Sequence, residues 1–393
     1  MKSAYDLPEP SFQSDITLVG KGTPMGELLR RYWHPVALSS DAGDTPLKIR
    51  ALGEELVLFR EASGRPGLLQ TRCTHRGASL LYGRVEPRGI RCCYHGWLFS
   101  ASGECLERPC EPDNGGAACA RTPQPGYPVE ELYGLIFAYM GPPAKKPLLP
   151  RYELLENLAE GEFLEADANS IGGGGPAIVP CNWLQHFENV MDPFHVPILH
   201  GSFSGTQFNE RMNLMPQVEF ETTERGILST SYRKLPDGRT HRRVTEAVLP
   251  TVRVVANPRA TGDGPCSLLG WVLPMDDTSF RIYSAGKVRE KGDLTKIKSQ
   301  LNGKLWSQLS PEEHFRFPGD YEAQVGQGAV AMHSEEHLTI TDQGIGMLRR
   351  MLRRNVEAVA RGEDPANTIR DPAAVVVSLA AGSSVVEAAN PAT

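Results

Sequence analysis

Cys73-Thr-His75-Arg-Gly77 and Cys92-Cys-Tyr-His95-Gly-Trp97 decide how this chain is read. Each segment offers one thiolate and one imidazole, as C-x-H and C-x-x-H, and sixteen residues separate His75 from Cys92. Two Cys and two His supplied by a pair of short loops suit a [2Fe–2S] cluster in which the cysteines hold one iron and the histidines the other. Neutral imidazoles in place of two anionic thiolates leave less negative charge on such a cluster, so it accepts an electron at a milder potential. A structural zinc site can use the same four ligands. Zinc fingers pair Cys with Cys and His with His, whereas each loop here carries one of each. Gly77, Gly83, Gly89 and Gly96 let the loops turn tightly. Cys93, next to Cys92, is the alternative ligand and would give C-x-H twice; the matching pattern prefers Cys92. Trp97 reads either as a shield that keeps water from the cluster or as an ordinary core aromatic.

A module built on such a Rieske-type cluster needs only about a quarter of 393 residues, and the length fits about two domains. Hydrophobic content of 40% and charged content of 22% are those of a globular protein. A formal net charge of −6 leaves no basic surplus to neutralise phosphates, which argues against nucleic acid as a partner. No apolar run approaches the roughly 18 residues that span a bilayer, so no membrane is expected. Met1 to Ser14 lacks the basic and apolar regions of a signal peptide. Cys105, Cys110, Cys119, Cys181 and Cys266 are too sparse for a disulfide scaffold and are expected as reduced thiols in the cytoplasm.

The pattern of elements predicts an α+β chain. Residues 1–45 read as an N-terminal helix and arm, with a helix over 22–32 capped by Thr23 and Pro24 in its first turn. Short β-rich runs over 46–145 (46–59, 67–72, 89–93, 96–100 and 132–139) predict an antiparallel-β domain framing the cluster loops. The Gly/Pro/Lys segment 141–150 marks the boundary to a second domain over 146–370. Gly172–Gly175 reads as a flexible run that lacks the Lys-Ser/Thr of a phosphate loop. Strands are predicted over 218–222, 226–234, 242–249, 251–256, 268–273 and 280–287, with Asp237-Gly238 as a hairpin turn. A helix is predicted over 345–361, and the tail 371–393 reads as partly disordered.

A second centre is suggested by Asn182-Trp-Leu-Gln185-His-Phe-Glu188-Asn189-Val-Met-Asp192-Pro-Phe-His195, followed by His200. On a helix Asn182, Gln185, Asn189 and Asp192 fall within about 80° of one another, opposite Trp183, Leu184, Phe187, Val190 and Met191. A solvated face would carry Lys, Glu or Arg; amides ending in a carboxylate look like a polar network inside the fold. Pro193 disfavours helix at Asp192, so the chain should bend there and can redirect His195 and His200 to one point. Two histidines with one carboxylate make the facial triad of nonheme Fe(II) oxygenases. Taken alone, the His pair would more simply be structural. Beside a redox cluster that needs an acceptor, the balance reverses.

These two motifs together resemble the large (alpha) subunits of the Rieske nonheme iron aromatic oxygenases, most closely the phthalate dioxygenase and dehydrodivanillate O-demethylase branch. The resemblance covers about residues 20–360. It implies an N-terminal antiparallel-β Rieske [2Fe–2S] domain and a C-terminal catalytic domain whose antiparallel sheet is wrapped by helices. It implies Cys73, His75, Cys92 and His95 as cluster ligands, and His195 and His200 with a downstream Asp as ligands of mononuclear Fe(II). The matching Asp lies in Gly319-Asp320-Tyr-Glu-Ala-Gln324-Val-Gly-Gln327, so Asp320 is the expected ligand, with Glu322 and Asp342 as alternatives. Pro318-Gly319 leaves a helix-cap role open for Asp320. Met332-His333 stands where close relatives have Asp-Arg, a departure that bears on substrate.

Candidate catalytic side chains are Asp192, Asn189 and Asn182. The resemblance makes Asp192 a carboxylate bridge between a cluster histidine, His95, and an iron histidine, His195, of neighbouring copies in a head-to-tail homotrimer or a stacked hexamer. The implied reaction spends O2 and two electrons on a small aromatic substrate, carboxylated or methoxylated, by hydroxylation or O-demethylation. No flavin or nicotinamide fingerprint is present, so a separate NAD(P)H-linked reductase, with or without a ferredoxin, is the expected electron donor. Arg239, Arg242, Arg243 and Arg253 crowd one hairpin, and Arg349, Arg350, Arg353 and Arg354 one helix. The hairpin arginines are expected to be mainly solvated, with one a candidate for a substrate carboxylate, and the helix arginines to form an exposed face or a subunit contact. Two other classes stay open, an electron-transfer protein and a hydrolase with zinc at the triad. An oxygenase subunit should carry about three irons and two sulfides, an electron carrier two and two.

Overall fold

The computed structural model describes residues 7–169, 171, 175–205, 207–259 and 262–387. Most of the glycine run at 172–175 lies outside these residues. Helix Pro24–Leu29 begins at the expected cap: Thr23 Oγ1 accepts from Gly26 N, and Pro24 fills a position whose N–H would have no partner. Two four-stranded antiparallel sheets follow. The first joins Leu47–Ala51, Glu54–Arg60, Pro66–Gln70 and Gly126–Tyr127. The second joins Arg84–Glu86, Gly89–Arg91, Leu98–Phe99 and Cys105–Glu107, and carries the second Cys/His loop between its middle strands. Trp33–Leu38, assigned to the arm by sequence, is a strand paired with Leu135–Tyr139, which also pairs with Val129–Leu132.

The rest of the chain is organised by a nine-stranded antiparallel sheet. Its main path runs Phe163–Asp167, Ser279–Val288, Leu268–Asp276, Val252–Val255, Thr240–Val248, Gly226–Lys234 and Gln217–Thr222. The central hairpin pairs Ser229 with Thr245, Ser231 with Arg243 and Arg233 with His241. Because side chains alternate along a strand, these six share one face. All six are buried, so this part of the sheet covers something with polar groups instead of facing water. The 18-residue helix Gln343–Ala360 packs on the Gly226–Lys234 strand and on the N-terminal helices Ser14–Thr17 and Pro24–Leu29, burying Leu348, Met351, Leu352 and Val359.

The tail corrects the expectation of disorder through residue 387. Val376–Val377 pairs in parallel with Arg151–Tyr152, and Gly382–Val386 runs antiparallel to Thr240–Val244. Glu246 Oε1 accepts from Ala381 N at 2.8 Å and also from Ala380 N. The β-branched pairs Val376-Val377 and Val385-Val386 suit strand pairing, and that outweighs the low sequence complexity. Residues 388–393 lie outside the described residues.

One hydrophobic core links both halves, from Leu28, Val36, Phe137 and Tyr139 through Trp183 and Phe187 to Trp271 and Leu352. A second, smaller core of Val57, Phe59, Leu69, Phe99 and Trp97 encloses Cys73 and Cys92. Among the described residues no helix is long and apolar enough to cross a membrane.

Candidate active site

The two Cys/His loops are built alike. Gly77 N donates to Cys73 O at 2.8 Å and Gly96 N to Cys92 O at 3.0 Å; Cys73 N donates to Ala78 O and Cys92 N to Trp97 O, both at 2.8 Å. Each turn needs a left-handed residue, supplied by Gly77 at φ 74° and Gly96 at φ 72°. In this repeat Cys92 occupies the position of Cys73. Both are buried, whereas Cys93 is exposed. Burial pushes the Cys73 thiol up to about 11, and the adjacent Cys92 adds to the effect. The His75 and His95 rings lie 4.6 Å apart, and His95 Nδ1 is buried without a hydrogen-bond partner. Two buried cysteines facing each other beside two imidazoles fit a cluster whose irons supply the missing positive charge. Trp97 stacks on His75 at 4.5 Å with an interplanar angle of 6°, and the Arg108 guanidinium sits 4.0 Å above the Trp97 ring.

The second group is shaped by an unusual backbone. Helix Trp183–Asn189 stops before Pro193, as the sequence predicts, and Asp192 Oδ1 accepts from Phe194 N at 2.8 Å and His195 N at 3.3 Å to fix the turn. The chain then winds as a π-helix over Val196–Phe203. In an α-helix residues five apart point about 140° away from each other. The wider π turn, bonded from i to i+5, brings His195 and His200 to ring centroids 5.3 Å apart. Proline at 197 in the first turn and the five-residue His spacing were the only sequence signals for this winding.

Asp320 opens helix Asp320–Val325. Its Oδ1 lies 3.3 Å from His200 Nε2, 3.7 Å from His195 Nε2 and 3.2 Å from Asn189 Nδ2, which donates to it. The cap role falls to Glu322, which accepts from Gly319 N at 2.8 Å and contacts His314, while Asp342 caps Thr339 N. One donor atom from each of His195, His200 and Asp320 falls within 4.8 Å of the others, a spacing that fits a single metal ion with open positions. Burial alone would raise the Asp320 carboxyl, but His200 and His195 outweigh it and hold the group well below the usual carboxylate range. His200 Nδ1 meets Gln207 Oε1 at 2.6 Å, leaving Nε2 as the free lone pair. Asp192 Oδ2 is 3.4 Å from His195 Nδ1, an ion-pair distance without hydrogen-bond alignment. Among the described residues no cluster-loop residue contacts Asp192, which borders an open groove with Gln185, Glu188, Met332 and Leu338.

The amide stripe holds the two ligand-bearing segments together. Gln185 Nε2 donates to Gln324 O and Gly328 O, its Oε1 accepts from Ala331 N, and His186 Nδ1 meets Gln324 Oε1 at 3.0 Å. Asn182 is not beside the His pair. Its Oδ1 caps Leu184 N and its Nδ2 donates to Thr17 O and Asp277 O, so it ties the helix start to two other segments.

A pocket of about 570 Å³, counting the solvent in its open mouth, lies over the triad, between Val190, Val196 and Phe208 on one side and the polar sheet face on the other. The expectation of solvated arginines is corrected in part. Arg239 is exposed and paired with Asp237, but Arg243 and Arg253, inward by strand alternation, line this cavity. Arg349 is likewise buried, bonded to both Glu188 and Glu336.

Comparison with known proteins agrees with this geometry. Residues 32–128 match the Rieske [2Fe-2S] domain family. The chain is 48% identical over 385 residues to the phenoxybenzoate dioxygenase subunit alpha of Ectopseudomonas oleovorans, covering 97% of this chain and 93% of that protein. It is 34% identical to the 5,5'-dehydrodivanillate O-demethylase oxygenase subunit of a Sphingobium species, over 90% of this chain and 82% of the relative. The crystal structure of dicamba monooxygenase bound to dicamba superposes with a TM-score of 0.62 at 17% identity, covering 85% of this chain and 99% of that one, and so shares the fold. With its expected cluster domain, its second histidine site and full-length relatives of this kind, the chain belongs to the Rieske nonheme iron oxygenases, as an oxygenase (alpha) subunit of the branch that includes phthalate dioxygenase and dehydrodivanillate O-demethylase.

Proposed function

We propose that this chain is the terminal component of an aromatic-ring oxygenase, with Cys73, Cys92, His75 and His95 holding the cluster and His195, His200 and Asp320 holding one Fe(II). The relatives' names support the aromatic substrate, oxidised by hydroxylation or O-demethylation. When bound, the two centres supply stored electrons and O2 activation. The residues' own tasks follow from their chemistry. Gln207 fixes the His200 tautomer, Asn189 orients the Asp320 carboxylate, and the amide network keeps both ligand segments in register. Phe208, Val190 and Val196 exclude water from the face where substrate sits.

A separate reductase delivers the electrons. The domain division at 141–150 and a cytoplasmic setting belong to the same reading, the latter supported by eight cysteines without a disulfide among the described residues. Asp192 is half-buried beside His195 on an open groove, which supports a homotrimer in which it meets His95 of the partner subunit.

The observation that carries this reading is the convergence of His195, His200 and Asp320 beside a pocket that opens to solvent. The test is metal analysis of the purified protein and of Asp320→Ala. The parent should hold about three irons and two sulfides per chain. The variant should lose one iron, keep both sulfides and lose substrate-dependent O2 uptake. Full iron in the variant would overturn the assignment.

A further inference from the structure

The strand that leaves the second Cys/His loop, Leu98–Phe99, pairs with Cys105–Glu107, and Leu98 stands opposite Glu107. The same register runs on past the strands through three contacts. Arg108 lies over Trp97, its guanidinium carbon 4.0 Å from the ring centroid. Pro109 covers Gly96 so closely that a Cβ there would come within 2.8 Å of its Cγ. Cys110 Sγ donates to His95 O at 3.7 Å. Residues 108–110 therefore form a clasp along residues 95–97. Trp97 also stacks on His75 at 4.5 Å, and two groups that close to one ring cannot share a face. Guanidinium, indole and imidazole make one pile.

Three arginines come near the cluster loops, and they differ in what surrounds them. Arg91 bonds two carboxylates, Glu86 and Glu107. Arg76 is exposed over Tyr94, where salt and water screen it. The Arg108 side chain is only 7% exposed, while its counter-charge Glu111, 3.2 Å away, is 38% exposed. The chain makes room for this cation at Gly115, where φ is 90° and a Cβ would meet the Arg108 stem at 2.8 Å. Its Nη2 donates to Ala118 O at 2.7 Å, and its Nε is buried without a partner.

Trp97 is buried, and contacts on both of its faces leave no room for water between the guanidinium and His75. The positive charge is thus weakly screened toward His75, whereas the charge of Glu111 spreads into solvent. Reduction adds one negative charge to a cluster, so an uncompensated cation nearby favours the reduced form.

We infer that Arg108 sets the reduction equilibrium of the cluster, holding a buried positive charge across Trp97 from the ligand His75 and so favouring uptake of an electron. The inference rests on the cluster reading. Arg108 is a positioning charge and not a ligand.

The test is redox titration of the purified holoenzyme against dyes of known potential, followed by the cluster's visible absorbance. Arg108→Gln should keep two sulfides per chain and shift the one-electron equilibrium about tenfold toward the oxidised form, which is about 59 mV. Arg108→Lys keeps the charge and should recover at least half of that shift. Glu111→Gln removes the counter-charge and should move the equilibrium the other way, about two- to threefold toward the reduced form. Lost packing alone would not give shifts of opposite sign. Arg108→Gln with its sulfides intact and an equilibrium within about twofold of the parent's overturns the inference, as does Arg108→Lys behaving like Arg108→Gln. If Arg108→Gln cannot keep its cluster, Glu111→Gln decides: no shift, or a shift toward the oxidised form, overturns it. Failure of the cluster reading would look different, as parent protein without acid-labile sulfide.

Discussion

His200 places Nδ1 2.6 Å from Gln207 Oε1 and thereby turns Nε2 toward Asp320 Oδ1, 3.3 Å away. An amide oxygen can only accept, so Nδ1 carries the proton and the lone pair is on Nε2. Fixing the tautomer in this way raises the ligand's basicity and removes the cost of reorienting the ring. Gln207→Leu should therefore lower affinity for the mononuclear iron about 10–100-fold while leaving the cluster's visible absorbance unchanged. Iron retention during dialysis against a chelator measures this; retention equal to the parent's would remove Gln207 from the site.

The repeated turn geometry of the cluster loops separates two adjacent cysteines. Cys92 is buried at the position equivalent to Cys73, and Cys93 is exposed. Cys93→Ser should keep two sulfides and the parent's absorbance. Cys92→Ser should lose both, because a hydroxyl is a poor substitute for the thiolate. Sulfide analysis of the two variants decides between them.

What the sequence could convey divides along physical lines. Local chemistry was legible: the Thr23 cap, the break before Pro193, the hairpin at Asp237-Gly238 and the two spaced Cys/His pairs are each set by neighbours within a few residues. The carboxylate facing the His pair was reachable only through the family pattern, because nothing near Asp320 in sequence says which segment it will meet. The π winding and the Gln207 contact left almost no trace, since both depend on how that segment packs. Charge was misleading for Arg243 and Arg349, which strand parity and a pair of distant glutamates bury, and for Arg253, which strand parity turns into the pocket. Low complexity was misleading for the tail, whose strand forms only because an edge is waiting for it.

Two buried histidines make stability depend on pH. Burial lowers His34 to about 4 and His186 to about 3, so both are neutral in the folded chain near neutral pH. An unfolded histidine titrates near about 6.5 and binds a proton that the folded one refuses. Stability should thus be complete above about 6.5 and fall as pH drops toward 4, by up to about 1.4 kcal/mol per pH unit for each group. His34 donates Nε2–H to Leu29 O at 2.9 Å, a bond that a glutamine amide can replace. His34→Gln should flatten the decline in denaturant midpoint between pH 7 and 5. An unchanged slope would show that His34 is not one of the groups responsible.

Asp192 stands where the two halves of the reaction would meet. It is held by Phe194 N and His195 N through Oδ1, which leaves Oδ2 3.4 Å from His195 Nδ1 and the carboxylate edge open to the groove beside Gln185 and Leu338. Burial would raise its pKa, but His195 and the two backbone donors outweigh this and lower it, so it remains a carboxylate. An asparagine there can still accept from both backbone donors and hold the turn. It cannot carry the charge that attracts one imidazole on each side. Asp192→Asn should consequently retain about three irons and two sulfides per chain, yet turn over far more slowly. Rapid mixing of the reduced variant with O2 and substrate locates the loss. Cluster reoxidation slowed about 100-fold or more, with substrate affinity within about twofold, matches a bridge that carries a charge-assisted contact on either side. Reoxidation at the parent's rate would place the electron path elsewhere and leave Asp192 as the cap of its own turn.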